Sequence, residues 1–361
     1  MIGPAPLRGD EVLIVVPTLN EEARIEPCLR SLMAGDARLG CADLVVVDGG
    51  STDRTREIVA RLGHEFPRLR LIDNPARLQS AGINLAVATL ARPPHRVLLR
   101  ADAHAAYPPG YAMRAADLLV ARGCASVVVA MDARGEGCFQ RAAAWIVDTP
   151  LGSGGSAHRG GRRSAEVDHG HHAAISLDWF RRVGGYDPAF SHNEDAELDH
   201  RLRAAGGRIW LAAGLRVDYW MRPTPRALAR QYWRYGRGRA RTLRKHALRP
   251  RLRQVAPAVN LALIAAGLAV AGAGVAAGST PLAALGLAWP LAYLAILALA
   301  SAWMALRHRS PCGLMAGPAL ALMHLPWGAG FLGGLVIPPG TPLPSPHRAP
   351  PEPSEGSPHA R

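Results

Sequence analysis

The chain has 361 residues, room for about two domains, and a net charge of +14 from 42 Lys+Arg against 28 Asp+Glu. The charge is unevenly spread: residues 1–218 hold 26 basic and 26 acidic side chains, whereas Tyr219–Pro351 holds 15 basic and no acidic ones, beside and within the most apolar stretch. A basic run that stops at Arg253 and passes straight into uncharged sequence suits anionic membrane lipids, at about 1 kcal/mol per Lys/Arg near the surface, and sets nucleic acid aside as a partner.

Val12–Val16 is a β-branched run closed by Pro17, the pattern of a buried parallel strand. Glu21–Met33 reads as a helix with Asn20 at its N-cap. Leu44–Val47 is a second strand, ending at Asp48. Gly49-Gly50-Ser51 turns the chain, and Thr52 or Asp53 caps a helix to Leu62. Leu69–Ile72, Ser80–Leu90 and Arg96–Leu99 continue the alternation as strand, helix and strand, the last leading into Asp102. Such alternation predicts an α/β, Rossmann-like domain with a mixed, mostly parallel sheet. Ligands of such sheets bind at the carboxyl ends of the strands, where Asn20, Asp48 and Asp102 stand.

Tyr111–Arg122 is expected to be helical and Ser126–Met131 a strand. Leu151–Ser164, rich in Gly, Ser and Arg, reads as a mobile loop, and Val183–Phe190 as a turn. Asp195–Ala205 is a predicted helix ended by Gly206-Gly207, and Arg208–Leu211 a short strand. Ala227–His246 fits an amphipathic helix lying at a bilayer interface, although Gly236 and Gly238 weaken it. Ala256–Gly278, Leu282–Leu306 and Gly313–Ile337 carry no Asp, Glu, Lys or Arg, and each exceeds the ~20 residues that cross a hydrocarbon core.

Arg307-His308-Arg309 separates the second span from the third. The positive-inside rule puts it on the inner side with Arg253. The expectation is a multi-pass protein of the cell inner (plasma) membrane with a cytoplasmic catalytic domain: 1–222 catalytic, 223–254 basic and interfacial, 255–337 three spans, 338–361 a disordered Pro-rich tail. Met1–Glu11 shows no apolar signal region. The five cysteines have no paired spacing and are expected as free thiols.

Five segments appear in order between Val12 and Arg241: VLIVVPTLNEE, VVVDGGSTDRT, LRADAHAAYPPGY, SHNEDAELDHRLRAAG and QYWRYGRGR. Together they resemble the motif series of family-two glycosyltransferases with the GT-A fold. The Asp-Ala-His variant, DHGHHA and HNEDAEL are most similar to a glucosyltransferase of exopolysaccharide assembly. The resemblance implies an inverting hexosyltransferase, with glucose the expected sugar. Asp48, with Thr18, Asn20 and Glu21, would line the pocket of a UDP-sugar donor, the carboxylate accepting from uracil or ribose; alternatively Asp48 starts a turn.

Asp102, also counted to the nucleotide-sugar site, would with His104 hold a divalent metal (Mg2+ or Mn2+) against the diphosphate. Imidazole in the third position is compatible with Mn2+. Asp195 would be the general base, oriented or shifted by Glu194, unless the pair is an ordinary acidic helix start. Gln231, Arg234 and Tyr235 would serve diphosphate and acceptor, and His171 and His172 would line the acceptor site. A zinc site at Asp168–His172 lacks the necessary ligand spacing. The expected acceptor is a polyprenyl-diphosphate-linked saccharide. Transfer to polyprenyl phosphate or another lipid, and a non-catalytic membrane-tethered nucleotide-binding protein, remain the alternatives.

Overall fold

A computed structural model describes residues 6–156, 159 and 163–336. The first half alternates as predicted: β1 (Val12–Thr18), α1 (Ile25–Met33), β2 (Asp43–Asp48), α2 (Thr55–Leu62), β3 (Leu69–Asp73), α3 (Gln79–Leu90) and β4 (Val97–Arg100). Then come β5 (Ala105–Ala106), α4 (Tyr111–Arg122), β6 (Ser126–Arg134), α5 (Cys138–Val147), α6 (Pro150–Ser153), β7 (Ala165–Glu166), β8 (His171–Ser176), α7 (Leu177–Arg182), α8 (Glu194–Ala204) and β9 (Ile209–Trp220). All nine strands form one sheet, in the order β3-β2-β1-β4-β8-β6-β9-β5, with β7 on β9.

The half made of β3, β2, β1 and β4 is parallel. β8 then runs antiparallel between β4 and β6. A parallel strand covered on both faces reads as a continuous apolar run, and β1 shows why. Val12, Ile14 and Val16 pack in one layer with Leu29 and Tyr111, while Leu13 and Val15 pack in the opposite layer with Ile83 and Leu198. The register sets Thr18 beside Asp48, so the carboxyl ends of β1 and β2 are level.

α9 (Pro225–Lys245) leads into α10 (Leu252–Ala276), α11 (Thr280–Arg307) and α12 (Ala316–Val336). Three segments, Leu252–Ala276, Thr280–Arg307 and Pro311–Val336, are helical and apolar enough to cross a membrane. Gly236 does not weaken α9. Its bare backbone lies against the Trp327 carbonyl of α12, and Gly330 of α12 lies against the Trp233 carbonyl, so a methyl group at either position would overlap the facing helix.

Several expectations change. The strand expected at Arg208–Leu211 runs on to Trp220, and β8 had no counterpart in the sequence reading. The loop expected at Leu151–Ser164 begins with a helical turn, and residues 157–158 and 160–162 of it lie outside the described residues, as does the expected tail. Cys138 and Cys312, expected as free thiols, are disulfide-bonded where α5 meets the turn before α12; Cys28, Cys41 and Cys124 are free.

Candidate active site

The carboxyl end of β1, the end of β4 and the start of α8 open onto one cavity of about 1500 Å³. Thr18, Glu21, Asp102, His104, Glu194 and Asp195 line its polar end. It continues past Tyr219 and Gln231 to Leu263, Trp289 and Ile296 of the apolar helices.

Arg100, the last residue of β4, organises the polar end. Its side chain is 5% exposed. Nη2 donates to Asp102 Oδ1 at 3.0 Å, and Nη1 donates to Asp195 Oδ1. Burial opposes the guanidinium charge, but Asp195 and Asp102 outweigh it and hold Arg100 well above its usual range. Burial likewise lifts Asp102, yet Arg100, with His171 and His104, brings it down to about 2. At Asp195 burial is again overcome by Arg100 and His172, which hold the carboxyl far below the usual range. Glu194 moves the other way, raised by burial and by the charge of Asp195.

His104 Nδ1–H donates to Glu21 Oε1 at 3.1 Å. Burial disfavours its cation, but Glu21 and Asp102 prevail and raise it. His171 faces Asp102, with Nε2 3.5 Å from Oδ2, and burial pulls it down to about 4 despite that carboxylate.

Three sequence-predicted residues stand elsewhere than expected. Asp48 is fully enclosed and does not line the cavity. Its carboxylate accepts from Gly50 N at 3.1 Å, Ser51 N at 3.0 Å and Arg56 Nη1 at 2.7 Å, and from the Ser51 hydroxyl. A buried carboxylate takes the partners nearest to it, so Asp48 braces the turn after β2, and Gly49 forms the cavity wall there. Asn20 braces the same turn, its Oδ1 accepting from Thr52 N at 2.8 Å. His172, 1% exposed, is sealed behind Asp195 instead of lining an acceptor site.

Gln231 is an anchor: Nε2 donates to the Tyr219 hydroxyl at 2.7 Å and to the Tyr235 hydroxyl at 2.9 Å. Arg222, Arg230, Arg234 and Arg239 all line the cavity and form no ion pair among the described residues. Burial, with Arg230 and Arg222 nearby, lowers Arg234. Burial, with Arg253 and Arg251, brings Arg239 down to about 10.

Residues 13–184 match the family model described as glycosyl transferase family 2. The succinoglycan biosynthesis protein ExoA of Rhizobium meliloti (strain 1021) is 44% identical over 325 residues, which cover 90% of this chain and 95% of the relative. The chain belongs to glycosyl transferase family 2. Among solved structures, the mannosyltransferase PcManGT from Pyrobaculum calidifontis, in complex with GDP-Man and Mn2+, is similar at a TM-score of 0.57 and 21% identity, covering 87% of each chain. This glycosyltransferase therefore has the GT-A fold, followed by helices suited to a membrane.

The donor atoms present suit a divalent ion such as the Mn2+ of that mannosyltransferase complex. Asp102 offers a carboxylate. His104 offers Nε2, its Nδ1–H being held by Glu21, the arrangement metal-bound imidazoles favour. Among the described residues no three metal-ligating side chains gather closely enough to hold an ion alone. The pair suits Mg2+ or Mn2+ completed by phosphate oxygens and water.

The sequence reading of this glycosyltransferase missed Arg100, Tyr186 and Asp199. Arg100 left one signal, a charge inside the apolar run Val97–Ala101. Asp199 left another, being four residues after Asp195 and so on the same helix face.

Proposed function

We propose that this glycosyltransferase moves a hexose, glucose by its resemblance, from a nucleotide diphosphate sugar to a hydroxyl of a polyprenyl-diphosphate-linked saccharide, with inversion, as a step of exopolysaccharide assembly. The observation that carries the proposal is the single cavity joining Asp102, His104 and Asp195 to the apolar walls of α10 and α11. A water-soluble acceptor has no use for such a continuation, whereas a lipid-linked one needs both ends. The relative ExoA bears a succinoglycan-biosynthesis name, and the mannosyltransferase of like fold holds a nucleotide sugar with Mn2+.

Asp102 and His104 would hold the ion, which when bound offsets charge growing on the departing diphosphate. Arg222, Arg230 and Arg234 supply unpaired cations suited to phosphate oxygens. Arg239, close to Arg251 and Arg253 at the start of α10, supplies others where a lipid diphosphate would sit. Asp195 Oδ1 is engaged by Arg100, and Oδ2 has no partner among the described residues. As the acceptor oxygen bonds to the anomeric carbon, its proton passes to Asp195 Oδ2. The bond from that carbon to the diphosphate breaks, and the nucleotide leaves with the electron pair. The hydroxyl becomes strongly acidic as its oxygen forms the new bond, so a carboxylate that stays ionised is basic enough late in the reaction.

The side of the membrane follows from charge. Arg253 approaches Gly155 at 3.5 Å, and His308 stacks on Trp145 at 4.1 Å, so both basic connections lie against the catalytic domain. The connection between α10 and α11 has no charge. The positive-inside rule makes the catalytic side cytoplasmic.

The test incubates membranes containing the protein with labelled UDP-glucose, UDP-galactose, UDP-GlcNAc and GDP-mannose. One donor should label the lipid-linked saccharide fraction, and Asp195→Asn should leave only a trace of labelling in a protein that still inserts. Label on a water-soluble acceptor in delipidated protein would overturn the proposal. Label on polyprenyl phosphate bearing no earlier sugar would move the acceptor to the lipid phosphate itself.

A further inference from the structure

Behind Asp195 lies a buried polar line that the reaction scheme leaves unused. β8 alternates, turning His171 to the cavity and His172 to the interior, as successive strand residues must. α8 brings Asp195 and Asp199, four residues apart, to the face that meets His172. Like charges at that spacing repel, and here an imidazole stands between them. His172 Nε2 is 2.9 Å from Asp199 Oδ1. Its Nδ1 is 2.6 Å from the Tyr186 hydroxyl and 3.2 Å from Asp195 Oδ1. Tyr186 Oη in turn donates to Asp195 Oδ1 at 3.2 Å. Asp199 also accepts from Gly170 N at 3.1 Å, and its side chain is fully buried.

We propose that His172 and Asp199 are positioning residues for the general base: Asp199 holds His172 with a proton on each ring nitrogen, and His172, directly and through Tyr186, fixes Asp195 Oδ1 so that Oδ2 faces the acceptor hydroxyl. The inference rests on the reading of Asp195 as base. All three partners of Asp195, namely Arg100, Tyr186 and His172, meet the same oxygen. A carboxylate gripped at one oxygen presents the other in a single direction, which is what proton transfer in the transition state requires. A buried carboxylate that fixes the protonation and orientation of a histidine is a known device of acid–base sites; here the histidine holds the base instead of being it.

The charges agree with the geometry. Burial disfavours the His172 cation, but Asp199 and Asp195 outweigh it and raise His172 to about 10. Burial raises Asp199 above the usual range in spite of His172. The imidazole faces two carboxylates and Asp199 faces one cation, so the proton rests on His172. The charged and titratable groups around Asp195 are Arg100 from β4, Asp102 just after it, His171 and His172 from β8, Tyr186 from the connection before α8, and Glu194 and Asp199 on α8.

The experiment compares wild type, Asp199→Asn, Asp195→Asn and the double variant in membranes, using UDP-glucose or whichever donor of the panel above labels wild type. Asparagine keeps an oxygen for His172 and removes the charge. For Asp199→Asn, kcat should fall about 10- to 100-fold, as when an outer partner of a reactive group is lost. KM for the donor should stay within about twofold, since the change touches transition-state placement and not ground-state binding. The acid limb of kcat should move to higher pH, because a weaker His172 cation no longer holds Asp195 down. The double variant should be no slower than Asp195→Asn alone.

Unchanged kcat and pH profile in Asp199→Asn, or losses that multiply in the double variant, would overturn the proposal. If Asp199→Asn does not fold, Tyr186→Phe replaces it. Loss of that one hydroxyl should lower kcat with donor KM held, and an unaltered kcat refutes the line. Transfer at close to the wild-type rate in Asp195→Asn would instead refute the base assignment.

Discussion

Replacing Glu197 by Gln should destabilise the protein by about 3 kcal/mol, and that loss should vanish in acid. Glu197 lies on α8, two residues after Asp195, with its side chain fully buried. It pairs with Arg201 at 2.7 Å on the same helix, and with Lys245 at 2.5 Å and His246 at 3.0 Å at the end of α9. One carboxylate thus ties the helix of the proposed base to the helix that meets the membrane segments. Burial works against its charge, but Arg201 and Lys245 outweigh it and bring the carboxyl from 4.5 to about 2. At about 1.4 kcal/mol per pKa unit, that is about 3 kcal/mol in favour of the ionised, folded form. It agrees with the roughly 3–5 kcal/mol lost when one partner of a buried pair is removed.

Because the folded value is the lower one, the contribution is complete above about 4.5 and disappears as pH falls toward about 2. Thermal unfolding of detergent-solubilised protein, followed by tryptophan fluorescence, reads the effect. At about 2–4 °C per kcal/mol for a domain of this size, Glu197→Gln should melt roughly 6–12 °C below wild type at pH 7. The gap should narrow steadily below pH 4.5. Equal melting at pH 7, or a gap that persists unchanged to pH 3, would refute the reasoning.

Arg100→Gln leaves Asp102 and Asp195 facing one another without their shared cation. It should cost about 3–5 kcal/mol, seen as a lower melting temperature, and Arg100→Lys should recover only part, since an ammonium lacks the fork that reaches both carboxylates. Glu21→Gln should raise the Mn2+ concentration for half-maximal transfer by about 10- to 100-fold, because Glu21 orients His104; an unchanged Mn2+ titration would detach His104 from the metal. Maleimide should label Cys41 in native protein, Cys28 and Cys124 only after unfolding, and Cys138 and Cys312, once purified in air, only after reduction. In intact cells the last two should label as thiols, because the proposed cytoplasmic side is reducing; protection there would place the catalytic domain on the opposite side.

The legible parts of the fold are those whose cause is local. β1, β2 and β4 are buried on both faces, so each shows as an apolar run, and the membrane helices show as uncharged runs for the same reason. β8 has no such mark. It opens with two histidines, and His172 can be buried only because Asp199 and Tyr186, 27 and 14 residues further on, accept and relay its protons. β9 outruns its expected end at Leu211 because its backbone goes on pairing with β6 as far as Trp220, and there Arg216 is held by Asp132 of β6, with its Nε 2.8 Å away. Position and side-chain direction also part company in the site. Asp48 does stand at a strand end, but an Asp-Gly step there serves a turn or a ligand equally well, and only the placement of Arg56 and Ser51 decides for the turn. Asp195 and Asp199 mark the limit most sharply. Their four-residue spacing announces one shared helix face, and two carboxylates buried together demand a cation from somewhere. Nothing in that spacing can say that β4 supplies one cation and β8 the other. That answer comes from β8 lying antiparallel beside β4, which brings Arg100 and His172 to a single carboxylate oxygen.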